Sequence, residues 1–235
     1  MGIDHYTIYD IIQRNALLFK DKVAWLEAGD NTGRTFAEIK NDVDCMAAAL
    51  QKAGLGKGDR LGIVGKNCLA YFVLYGAAAA LGAIVVPINW RLSAEEAAYN
   101  LNDTGPRIVF MESDTQEWLE AVCKQLPEST LFFNLVPGQG SLPDFDTGVP
   151  GAPFTPAEVG TDDGLVIIHT AAVAGRPRGA LLSHGNLLHT NMHLLYCFNL
   201  AEKDVHLNLL PLFHVAGLCM SLVGFHVGAL NVNLR

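Results

Sequence analysis

Apolar positions along this chain recur with two periods. After Thr35, the residues Phe36, Ile39, Val43, Met46 and Leu50 fall three and four apart, and Thr35-x-x-Glu38 has the form of a capping box. Gly54 supplies a stop, so the spacing predicts an amphipathic helix of about five turns. Ser93-x-x-Glu96 opens a second capped helix ending near Asn102, and residues 115–125 read as a third. Between them lie short strand-like segments, each with a continuous apolar stretch: Arg60-Leu61-Gly62-Ile63-Val64 after the Gly58-Asp59 turn, Arg107-Ile108-Val109-Phe110, Leu131-Phe132-Phe133 and Gly164-Leu165-Val166-Ile167-Ile168. Helices alternating with continuously apolar strands predict an α/β fold of mostly parallel sheets flanked by helices.

Two longer apolar runs need separate treatment. Tyr71 to Val86 is rich in Ala and Gly and is stopped by Pro87. A membrane span needs about 20 strongly apolar residues, so this run reads as a buried helix, a turn at Gly82 and a buried strand Ala83-Ile84-Val85-Val86. From Val205 to Leu234 there is no Asp, Glu, Lys or Arg, but Asn208, Pro211, His214 and His226 interrupt the run and again favour strand, loop and buried helix over a span. A run this uncharged must be covered by something. Residues 137–160 are different, dense in Gly, Pro, Asp and Ser from Pro137 to Pro156. They divide the chain into a first α/β subregion, 1–136, a surface connection, and the start of a second subregion, 161–235.

Composition narrows the functional classes. The chain has 235 residues, 50% apolar and 17% charged, which excludes a disordered protein. Sixteen Lys+Arg against 24 Asp+Glu leave a net charge of −8, so the overall field repels nucleic acid and anionic lipid. Any phosphate must be bound by a local device. Five cysteines, with no CxxC pair, suit the reduced cytoplasm, and the start, Met1-Gly2-Ile3-Asp4-His5-Tyr6, lacks a signal peptide's basic region and apolar core.

The local device is a loop after the strand at 164–168. His169-Thr170-Ala171-Ala172-Val173-Ala174-Gly175-Arg176-Pro177-Arg178-Gly179 leads to a second strand-like piece, Leu181-Leu182, then Ser183-His184-Gly185-Asn186 and a helix. Small residues let backbone N–H groups approach a polyphosphate, and Arg178 adds charge. It is not a Walker loop, since GxxxxGK[ST] is absent. Read alone, it is equally a plain strand-to-strand turn. Gly175-Arg176-Pro177-Arg178-Gly179 has the form of a minor-groove AT-hook core, but such hooks sit in basic tails and this segment lies between apolar strands of an acidic chain. His189 and His193, four apart on a helix, have a metal-binding spacing without a third ligand or an HExxH acid, so no metal site is assigned. Trp90 and Arg91 read as a surface turn, and His169 receives no role.

The loop and its flanks resemble the adenylate-forming superfamily of acyl-CoA synthetases, luciferases and peptide-synthetase adenylation domains, whose Ser/Thr/Gly-rich loop ends in Pro-Lys-Gly. Thr35-Phe36-Ala37-Glu38, Gly58-Asp59-Arg60, Gly82 to Asn89, Leu92 to Glu96, Ser183 to Asn186 and Pro211-Leu212-Phe213-His214-Val215-Ala216-Gly217 are similar to that family in its order. The resemblance implies the N-terminal portion of an acyl-CoA synthetase large domain. It implies that Thr170, Ala171, Ala172, Val173, Ala174, Gly175 and Arg178 bind the ATP phosphates and that His214 borders the acyl pocket. The departures matter. Ala171, Ala172, Val173 and Ala174 replace Ser, Gly and two Thr, and Arg178 replaces Lys. Each lost neutral hydrogen bond is worth about 1 kcal/mol, so two or three weaken ATP binding by roughly ten- to a hundredfold without abolishing it.

The activity implied is ATP-dependent formation of an acyl-adenylate and then an acyl thioester, with Mg2+ and coenzyme A, on acyl or aryl acids rather than amino acids. The other reading is a catalytically degenerate nucleotide- or acyl-binding module of the same fold. Adenylate-forming enzymes are roughly twice this long, and their adenine-binding strand, ribose-binding Asp and catalytic Lys have no match here, so the 235-residue chain alone is expected to be inactive, with no catalytic residue of its own. The expected partners are a carboxylic acid and coenzyme A, with no nucleic acid. Peripheral membrane contact, a homodimer, or association through the uncharged run at 205–234 stay open.

Overall fold

The computed structural model describes residues 5–112, 115–170 and 176–234. The chain runs through α1 (Ile8–Leu18), β1 (Val23–Glu27), β2 (Thr32–Thr35), α2 (Phe36–Lys52), β3 (Arg60–Val64), α3 (Leu69–Leu81), β4 (Ile84–Ile88), α4 (Ala94–Thr104), β5 (Ile108–Met111), α5 (Gln116–Cys123), β6 (Leu131–Asn134), β7 (Gly164–His169), β8 (Gly179–Ser183), α6 (His184–Phe198), β9 (Val205–Asn208), α7 (Val215–His226) and β10 (Leu230–Asn233). Thr35 with Glu38 and Ser93 with Glu96 form complete capping boxes at α2 and α4, as the sequence pattern predicts. Ser183 with Asn186 does the same at α6, and Thr7 with Asp10 at α1.

The strands form two sheets. One has the order β6-β5-β3-β4-β7-β8 and is parallel except for β8, which runs antiparallel to β7. The other has the order β2-β1-β10-β9, with β1, β10 and β9 parallel and β2 antiparallel. Both sheets combine strands from either side of residues 137–160: β1 pairs with β10 at Trp25↔Asn231, and β4 with β7 at Val85↔Val166.

Alternation along the six-stranded sheet explains the continuous apolar runs. Leu61, Ile63, Val85, Ile108 and Phe110 face the main core, built with α1, α2, α3 and α7. Val64, Val86, Ile88, Val109 and Met111 face a second core under α4 and α5. A strand buried on both faces has no place for a polar position. Every residue of α3 from Tyr71 to Leu81 is buried, which is why this helix shows no polar face. It ends at Gly82, whose φ of +66° is the left-handed cap that lets the chain turn at once into β4.

The uncharged run divides in two. Residues Gly217 to Cys219 and Ser221 to Phe225 of α7 are buried, whereas Val205, Leu207, Leu209 and Leu210, in and after the edge strand β9, are exposed. Among the described residues no helix is long and apolar enough to cross a membrane.

Candidate functional site

The β7–β8 hairpin carries the loop. Its register runs through Ile168↔Ala180 and His169↔Gly179, and Thr170 closes the mouth against Arg178. The Thr170 amide donates to the Arg178 carbonyl at 3.0 Å, while Thr170 Oγ1 donates to that carbonyl at 3.3 Å and accepts from the Arg178 amide at 3.4 Å. This mouth lies beyond the carboxyl end of β7, a parallel partner of β4, the side on which open α/β sheets bind ligands. Ala171, Ala172, Val173, Ala174 and Gly175 lie outside the described residues. Arg178 is exposed, and among the described residues its guanidinium has no ion pair. Its five N–H donors suit the oxygens of a polyphosphate, so the described part of the loop fits an anionic ligand.

The segment Pro211–Gly217 is built by different elements. Asn67, between β3 and α3, is the organiser: its Nδ2 donates to the Leu210 carbonyl at 2.9 Å and its Oδ1 accepts from the Leu212 amide at 2.7 Å. Tyr75 of α3 donates to the Leu212 carbonyl at 3.1 Å. His214 is exposed and is the N-cap of α7, its Nδ1 accepting from the Ala216 amide at 3.1 Å. Thr170 and Arg178 are thus brought together. No hydrogen bond or ring contact joins His214 to either among the described residues.

Beneath this segment Glu27 ties three elements. Its carboxylate accepts from the Trp25 indole at 2.9 Å, the Leu69 amide at the start of α3 at 2.6 Å, and Asn233 Nδ2 at 2.7 Å. Cys68, the N-cap of α3, supplies no side-chain cap, so a strand residue far away in sequence does that work.

With the loop and the Pro-Leu-Phe-His segment in place, residues 12–235 match a family described as AMP-binding enzyme. The chain belongs to that AMP-binding family. A feruloyl-CoA synthase of Amycolatopsis is 35% identical over 189 residues, covering 80% of this chain and 36% of that protein. An indoleacetate–CoA ligase of Aromatoleum aromaticum is 31% identical over 210 residues, covering 84% of this chain and 40% of that protein. A crystal structure assigned as a long-chain-fatty-acid CoA ligase of Rhodopseudomonas palustris superposes with a TM-score of 0.90 at 37% identity, covering 99% of this chain and 58% of that one. The chain spans about two fifths of the length of the curated relatives it matches and corresponds to the N-terminal portion of the adenylate-forming fold.

Within this member of the AMP-binding family, sequence reasoning missed several polar residues that tie its elements together. His184 is fully buried, and its Nδ1 accepts from the Ile8 amide at 3.2 Å, joining the start of α6 to the start of α1. Burial pushes its pKa down to about 4, against smaller opposing effects of Asp163 and Asp10. His226 is also pushed down to about 4, by burial and then by the Arg14 charge. His189 Nδ1 lies 2.9 Å from the Gly185 carbonyl, and no group of three metal-binding side chains occurs among the described residues. Trp90 lies under Arg91, 4.2 Å from its ring centre, and under Lys66 at 5.2 Å. Asn67 leaves no local signal, because its partners Leu210 and Leu212 lie more than 140 positions away, and the ties of Glu27 to Leu69 and Asn233 leave none either, being 42 and 206 positions long.

Proposed function

We propose that this chain is the phosphate-binding portion of an ATP-dependent carboxylic acid–CoA ligase acting on an acyl or fatty acid. In the reaction a carboxylate oxygen attacks the α-phosphorus of ATP, the bond to the β-phosphate oxygen breaks, and acyl-adenylate and pyrophosphate form. The thiolate of coenzyme A then attacks the acyl carbon and displaces AMP, leaving the thioester. Thr170, Ala171, Ala172, Val173, Ala174, Gly175 and Arg178 hold the β- and γ-phosphates, and the Arg178 charge stabilises the departing pyrophosphate. Mg2+ would be held chiefly by the phosphate oxygens of the nucleotide rather than by a protein cage, and would offset their charge. His214 borders the entry of the carboxylate. The observation that carries this reading is the Arg178 guanidinium at the hairpin mouth beyond the carboxyl end of β7, exposed and without an ion pair among the described residues. Five cysteines without a CxxC pair support a cytoplasmic location.

Titration calorimetry of the 235-residue chain with Mg·ATP tests it. Arg178→Ala is expected to weaken binding at least about tenfold, the loss of one charge-assisted hydrogen bond. No binding by the wild-type chain at millimolar nucleotide would favour the second reading, a degenerate module, for which the Ala and Val substitutions at 171–174 speak. Acyl-dependent ATP–pyrophosphate exchange by the 235-residue chain is expected to stay at background, and measurable exchange would overturn the assignment of catalytic groups elsewhere.

A further inference from the structure

One helix, α4, faces the residues on both flanks of the loop. His169, the last residue of β7, buries its ring almost completely, the side chain being 6% exposed. Among the described residues neither ring nitrogen makes a hydrogen bond, and the Asp103 carboxylate of α4 faces it, with Oδ2 3.5 Å from Nε2. Gly179 of β8 keeps this approach open: a Cβ there would lie 2.6 Å from the Ile167 side chain and within 4 Å of both His169 Nε2 and Asp103 Oδ2. On the far flank, the Arg176 guanidinium lies over the ring of Tyr99, 5.2 Å from its centre. Tyr99 and Asp103 are four apart on α4, and so share one helix face.

We propose that α4 positions the mouth of the phosphate loop through these two side chains, Asp103 holding His169 before the loop and Tyr99 holding Arg176 after it. The arrangement divides the work of the two arginines. Arg176 is spent on the Tyr99 ring, whereas Arg178 stays available. The face of α4 opposite this pair packs into the second core through Ala97, Ala98 and Leu101, so the anchor is itself rigid. The link to ligand binding rests on the nucleotide reading above, but the anchoring does not.

Amide hydrogen exchange on the 235-residue chain separates the two. Asp103→Ala and Tyr99→Leu both keep good helix formers in α4, so the helix is retained. Each is expected to speed exchange of the Thr170 and Arg178 amides roughly tenfold and leave the Ile63 and Val85 amides unchanged, since local opening frees only the groups it releases. Asp103→Glu, which keeps the carboxylate, is expected to restore most of the protection. Unchanged exchange at Thr170 and Arg178 in both variants would overturn the proposal, as would acceleration spread equally over β3 and β4. Mg·ATP titration then reads the consequence: Asp103→Ala is expected to weaken binding by roughly fivefold or more, through a disordered mouth. A wild-type chain showing the exchange pattern but no Mg·ATP binding supports the anchor and sinks the nucleotide reading alone.

Discussion

Gly217→Val is expected to destabilise the chain by about 3 kcal/mol or more, the upper range for overpacking. The reason is steric. A Cβ at Gly217 would stand 2.6 Å from the carbonyl carbon of Pro211 and 2.8 Å from the carbonyl oxygen of Leu210, both backbone atoms that no rotamer change can move. Nor can that backbone retreat freely. The Leu210 carbonyl is held by Asn67 Nδ2, the Pro211 carbonyl by the His214 amide at 3.0 Å, and the Leu212 amide by Asn67 Oδ1. Even Gly217→Ala must break this packing, although alanine is the better helix former by about 1 kcal/mol. Urea unfolding measures the effect, and a loss below about 1 kcal/mol for the valine variant would show that the first turn of α7 yields easily. Because His214 caps that turn, the same variant displaces the one residue of the segment proposed to meet the substrate.

Acidification is expected to remove about 3 kcal/mol of stability through His184 alone as pH falls from 6.5 to about 4. The sign follows from which state binds the proton. In the unfolded chain the imidazole titrates near 6.5, whereas in the fold burial lowers this to about 4. Between those values the unfolded chain carries the proton and the folded chain does not, so falling pH favours unfolding. Above 6.5 both states are neutral and the stability is fully present. His226, pushed down to about 4 as well, adds to the same window. Asp163, whose carboxyl is lowered by the Lys57 hydrogen bond, contributes at lower pH, where that carboxylate takes up its proton. Stability measured by urea unfolding at stepwise pH gives the slope. His184→Gln, which keeps an acceptor for the Ile8 amide but does not titrate, is expected to flatten it by one proton, and an identical slope in both proteins would remove His184 as the cause.

The legible part of this molecule was local. The pairs Thr35 with Glu38 and Ser93 with Glu96 state where α2 and α4 begin, because a cap is a contact between residues three apart. The unbroken apolar runs at 61–64 and 108–110 state that both faces of those strands are covered, and the two cores cover them. The loop was legible in its residue types and its place after β7, and Thr170 and Arg178 do meet at its mouth. His169 shows no role in the sequence, since its partner Asp103 is 66 positions away in helix α4. His184 looked like part of a helix start, and its burial against Ile8, 176 positions away, left no periodic trace.

By itself, then, the sequence determined the class of elements, their order and the small-residue loop that follows β7, because propensity, capping and apolar periodicity act within a few residues. Only the tertiary structure decided that two sheets, rather than one, share strands from both ends of the chain, that Asn67 and Gly217 together set the Pro211–His214 segment, and that α4 faces both flanks of the loop. Those outcomes depend on which distant surfaces exclude water from one another and on which buried polar groups find partners, and neither quantity is written in any short window of sequence.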